Sequence, residues 1–76
     1  MPIFYFDLHL DGVVTRDIVG AAVEACDVGL EAASIVAAHV WELLPASQCR
    51  LVACEVRDAT GRPCHRAEMR FRSVAL

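Results

Sequence analysis

Seventy-six residues suffice for one small domain, and such a domain buries about 60% of the surface its unfolded chain exposes, which leaves little depth for a catalytic cleft in a lone chain. Hydrophobic residues make up 57% of the sequence, a share that calls for a partner to cover the excess apolar surface, most simply a second copy of the chain. The formal net charge is −3 with no lysine, and it is unevenly placed: residues 1–45 hold Arg16 against seven acids, while residues 46–76 hold six arginines against three, a balance that speaks against strong non-specific nucleic-acid binding.

The first segment, IFYFDLHL at residues 3–10, alternates. Phe4, Phe6, Leu8 and Leu10 fall on one face, and Ile3, Tyr5, Asp7 and His9 on the other. A period of two with aromatic and β-branched content predicts a strand. Asp11-Gly12 supplies a tight hairpin turn, and residues 13–16 form a short returning strand. Residues 17–26 read as a loop or irregular extended segment. Asp27 is the expected N-cap of a helix that runs to about Leu44, before Pro45 stops it. At 100° per residue, Leu30, Ala33, Val36, Ala37, Val40, Leu43 and Leu44 share one wide face, with Trp41 at its margin. Ile35 falls among the polar residues opposite.

Residues 50–57, RLVACEVR, predict another strand. Val52, Cys54 and Val56 face one way, and Ala53, Glu55 and Arg57 the other. Residues 58–61, DATG, form a four-residue hairpin loop. The last strand runs from about Pro63 to Arg72, with His65, Ala67, Met69 and Phe71 alternating with Cys64, Arg66, Glu68, Arg70 and Arg72. The fold class is therefore α+β, a single domain over residues 1–76. It has β-β-α-β-β order, with one helix covering one face of a four-stranded antiparallel sheet. Docking the third strand beside the first gives the order 2-1-3-4, which places the two most apolar strands in the centre.

The opening M-P-x-[FY]-x-F-D (Met1, Pro2, Phe4, Phe6, Asp7), the turn Asp11-Gly12, the Ala-rich helix and the close E-V-R-D-x-x-G-R-P (Glu55 to Asp58, Gly61 to Pro63) resemble a family of short bacterial proteins classed as a domain of unknown function. That resemblance implies a stand-alone β-β-α-β-β protein and no particular activity. One departure is Gly29, a glycine in the first helical turn. A weaker similarity is to HicB-type antitoxins, through Met1, Pro2, Asp11, Gly12, Asp27, Glu31 and Ala32, although no DNA-binding segment follows.

The chemistry-bearing residues do not assemble into a motif. Cys49, Cys54, Cys64 and His65 have the spacing C-x4-C-x9-C-H, without the C-x2-C knuckle of a structural zinc site. Cys49 and Cys54 differ in parity along one strand, and Cys64 and His65 are adjacent, so each pair is expected to split between faces. Cys26 and Cys64 have no recognisable base-and-orienter set beside them. His9, His39 and His65 belong to different elements, and no phosphate loop or nucleophile elbow is present. Reduced thiols that fill space, no metal and no cofactor are the expectation.

Five arginines crowd residues 55–72. With a four-residue loop, Arg57 pairs with Arg62, Glu55 with Cys64 and Ala53 with Arg66, so that Arg66 lies diagonal to Glu55. Arg57, Arg66, Arg70 and Arg72 then form either a solvated hairpin face, partly neutralised by Glu55 and Glu68, or a guanidinium row able to grip phosphates or a carboxylate-rich partner. The start MPIFYFDLHLDG has no basic n-region, and no apolar run approaches the ~20 residues needed to cross a bilayer. The sequence thus predicts a cytoplasmic, non-enzymatic binding module without membrane contact. It is expected to be homodimeric, with Ile35 and Trp41 at the interface. An antitoxin-like regulator of a basic protein partner, or an anion or nucleic-acid binder working through the arginines, are the alternatives.

Overall fold

The computed structural model describes residues 1–43, 51–72 and 75–76, with helix side chains through Val40. The elements are β1 (Ile3–Leu10), β2 (Val13–Thr15), β3 (Ala21–Ala22), a 3-10 turn (Ala25–Asp27), α1 (Val28–Leu43), β4 (Leu51–Arg57) and β5 (Pro63–Arg70). The sheet runs β2-β1-β4-β5 with every pair antiparallel, which is the predicted order with β3 added. Helix α1 packs on β4 and β5.

β1 is central because its even-numbered side chains are large and apolar. Phe4, Phe6, Leu8 and Leu10 join Val52, Cys54 and Val56 of β4 and Ala67 of β5 on the helix side. The helix closes this core with Val28, Ala32 and Val36, flanked by the half-buried Ile35 and Val40. That stripe is rotated from the predicted one. Leu30 is 72% exposed, Ala33 and Ala37 are exposed, and Ile35 faces the core rather than solvent. In an alanine-rich helix the contrast between faces is weak, so close approach decides the rotation. Ala32 is fully buried, and a Cβ on Gly29 would lie 3.0 Å from Nε2 of His65. Asp27 is not an N-cap. It ends the 3-10 turn, with its N–H bonded to the Glu24 carbonyl at 2.9 Å. The expected stop at Leu44 and Pro45 lies outside the described residues.

The Asp11-Gly12 turn has positive φ at both residues, as a two-residue hairpin requires, and Asp11 Oδ1 accepts the Leu51 N–H at 2.8 Å. After β2 the chain leaves β1 and returns as β3. Leu8 pairs with Thr15 and Phe4 with Ala21, so five residues of the returning chain face three of β1. The excess forms a strap, residues 16–20, which takes Arg16 from the end of the expected returning strand and the rest from the stretch expected to be irregular.

The β4–β5 hairpin has a three-residue loop, not four. Asp58 N–H donates to the Arg62 carbonyl at 2.9 Å and Gly61 N–H to the Asp58 carbonyl at 3.0 Å. A bulge near Val56/Arg57 adds a further one-residue shift. The two shifts together move the register by two residues, so the predicted faces survive while the partners change. Glu55 opposes Arg66, Ala53 opposes Glu68 and Arg57 opposes Pro63.

Candidate functional site

The face of the sheet away from α1 carries nearly all of its charge. Residues directly opposite share a face, which lines up Asp7, Glu55 and Arg66 in one row, His9, Ala53 and Glu68 in the next, and Tyr5 beside Arg57 in a third.

Asp7 is buried on this open face because the strap folds over it. Arg57 reaches diagonally across the strands. Its Nε donates to Asp7 Oδ2 at 2.6 Å and its Nη2 to Asp7 Oδ1 at 3.0 Å, the two-pronged geometry that gives guanidinium–carboxylate pairs their strength. Nη2 also donates to the Asp17 carbonyl at 3.0 Å, and the guanidinium stands 5.0 Å from the centre of the Tyr5 ring. The Arg57 hydrogen bond, first among the causes and against the cost of burial, holds the Asp7 carboxyl below its ordinary range.

Asp17 substitutes for missing strand pairing. The Phe6 N–H faces the gap opened by the strap and donates to Asp17 Oδ2 at 3.0 Å. Oδ1 accepts the N–H groups of Val19 and Gly20, each at 3.0 Å, while the Asp17 N–H donates to Asp7 Oδ1 at 2.9 Å. Burial raises the Asp17 pKa more than any other single influence, yet the three backbone donors together bring it below the ordinary value. Gly20 makes the closure possible: its φ is +76°, and a Cβ there would stand 2.9 Å from Ile3 Cγ2 and 3.0 Å from Tyr5 Cε1.

The predicted arginine row is divided by these contacts. Arg57 is bound into the fold, its side chain 16% exposed. Arg66 lies 3.3 Å from Glu55 and 3.4 Å from Glu68, all near the surface. Arg70 and Arg72 are exposed and pair with no carboxylate among the described residues. Of the proposed interface residues, Ile35 packs against the core and the Trp41 side chain lies outside the described residues, as does Cys49. Cys54 is buried and its thiol is pushed up to about 11, first by burial and then by the charges of Asp7, Asp17 and Glu31. Cys26 and Cys64 are exposed. No group of His, Cys, Asp or Glu among the described residues is arranged to hold a metal ion, and no described helix is long and apolar enough to cross a membrane.

The two sheet edges differ. One is made of the short β2 and β3, interrupted by the strap. The other is β5, eight residues long, exposed at every position but Ala67 and paired on one side only among the described residues. Met69 and Phe71 at this edge are 43% and 39% exposed.

Sequence periodicity put Asp7 on the polar face but gave no sign of its burial. The available clue was an acid in the middle of the most apolar strand, with one arginine in the strand beside it. Asp17 was missed as a structural residue, although an Asp three residues ahead of a Gly is a turn signal. A family model described as Domain of unknown function (DUF6894) matches residues 3–70. No curated protein and no solved structure matches the chain.

Proposed function

The chain belongs to the family described as Domain of unknown function (DUF6894), and from that premise we propose that it acts by binding rather than by catalysis, as a homodimeric interaction module. The observation that carries this reading is the free β5 edge. Its backbone donors and acceptors on one side have no partner strand among the described residues, and exposed apolar side chains lie along it. Long unbroken edges can take up another strand whose charges complement their own. The polar cluster on the open face supports the non-catalytic part of the reading. Asp7, Asp17 and Arg57 spend their hydrogen bonds on one another and on backbone groups of the strap and β1, an arrangement that anchors the chain and leaves no poised base or nucleophile. Light scattering at tens of micromolar should give about twice the 8.3 kDa chain mass. A monomer at that concentration overturns the reading.

A further inference from the structure

Building on the homodimer reading, we propose that two copies join β5 to β5, antiparallel about a two-fold axis at Ala67, so that Arg66 of each chain lies opposite the partner's Glu68. The two sheets then become one continuous sheet with both helices on the same side.

The asymmetry of the edges motivates the choice of strand. The β2–β3 edge is short, broken by the strap and partly occupied by the Asp17 side chain, the ways in which proteins discourage edge pairing. β5 is unbroken over most of its length, since its bulge lies at the loop end and no proline follows Pro63. Its charges discourage an arbitrary strand, but they alternate in sign and so can match a second copy. A two-fold contact between identical strands is also closed, so it ends at a dimer.

The charges select the register. Antiparallel pairing sets residues of the same face opposite one another, and Arg66, Glu68 and Arg70 alternate in sign along the open face. An axis at Ala67 gives two Arg66–Glu68 pairs across the junction, with Arg70 opposite Cys64, and no like charges meet within β5. Moving the axis to Glu68 sets Glu68 against itself and Arg66 against Arg70. Moving it to Arg66 sets Arg66 against itself. An axis at Met69 recovers Glu68–Arg70 pairs but sets Arg66 against Arg72 and overlaps the two strands only over residues 68–70. The axis at Ala67 overlaps them over residues 64–70 and leaves its own like pair, Arg62 with Arg72, outside β5. On the helix side, the axis at Ala67 brings the exposed Met69 against the partner's His65 and places the smallest side chain of the strand at the crowded centre.

Complementary charge reversal tests the register in the full-length protein. Glu68→Arg alone makes both junction pairs arginine–arginine, and Arg66→Glu alone makes both glutamate–glutamate, so each variant should raise the dimer dissociation constant about tenfold or more. Mixing the two variants in equal amounts restores two opposite-charge pairs, and the mixed dimer should return to near wild-type affinity. Sedimentation measures the affinities, and circular dichroism confirms that each variant is folded. If the wild type dimerises but a single variant does so equally well, or if mixing restores nothing, the β5 register is wrong while the dimer reading stands. Tighter dimers of Arg66→Glu alone would indicate the axis at Met69. A monomeric wild type overturns both proposals.

Discussion

Asp7, buried, and Asp17, half-buried, show how a carboxylate can leave water at little cost: each is surrounded by donors that exist only in the folded chain. Both pKa values lie below the ordinary aspartate value of 3.8. Lowered folded-state values mean that the unfolded chain takes up protons first as the pH falls. The stabilisation is therefore complete above the ordinary aspartate range and is lost as the pH drops through the lowered folded values. Asp7→Asn should cost about 2 kcal/mol or more near neutral pH, because it removes a charge-assisted pair and leaves Arg57 unmatched. The gap to wild type in urea unfolding should be narrower at acid pH, below the ordinary aspartate range, than at neutral pH, because protonation there progressively removes the stabilisation that the charge gives wild type. An equal gap at both pH values would show that the negative charge is not the source. The cysteines give an independent check on the register of β4. Cys54 shares the core face with Val52 and Val56, and its thiol is raised to about 11, so a thiol reagent followed by peptide mapping should modify Cys26 and Cys64 promptly and Cys54 only on unfolding. Prompt modification of Cys54 would reverse the faces of β4.

Elements with strong periodicity were legible, and those held by side chain-to-backbone bonds were not. β1 and β4 could be read from alternation alone, and their faces and neighbours follow from it. The rotation of α1 could not, because alanines fill both of its sides and the decision rests on how closely Ala32 approaches the sheet. The strap was illegible for a different reason: its shape comes from one Asp17 side chain replacing strand pairing for Phe6, Val19 and Gly20, a pattern with no period. The hairpin register was missed by two residues because the loop and the bulge each shift it by one. Two glycines separate these cases experimentally. Gly20→Ala forces a side chain into a positive-φ position and onto Ile3 and Tyr5, and should destabilise the protein by about 1–2 kcal/mol. Gly29→Ala meets only the ring of an exposed histidine, which can swing aside, and it gains up to about 1 kcal/mol of helix propensity. It should be neutral or stabilising in thermal unfolding. The reverse order of the two variants would mean that the strap is loose and the helix–β5 contact rigid.

At the scale of the whole molecule, the arginines of the second half are neutralised in part by its own carboxylates, Glu55 and Glu68 beside Arg66, and in part by Asp7 of the acidic first half, which Arg57 holds. The antiparallel sheet sets Asp7 and Glu55 beside Arg57 and Arg66, so the C-terminal charges that look like a binding row in sequence become a checkerboard. Arg70 and Arg72 remain, at one end of an edge strand, on a chain whose net charge is −3. Phosphate binding of useful strength needs several cations acting together, because its affinity grows with the number of counterions released. Single-stranded nucleic acid also needs aromatic faces for its bases, and on the open face Tyr5 is already covered by Arg57. Titrating fluorescent short RNA and DNA at two salt concentrations should therefore show no saturable binding in the micromolar range at either. Binding that falls steeply with added salt and disappears in the Arg70→Gln/Arg72→Gln double variant would make the strand end an anion site after all. Binding that survives that variant would place the contact elsewhere on the molecule.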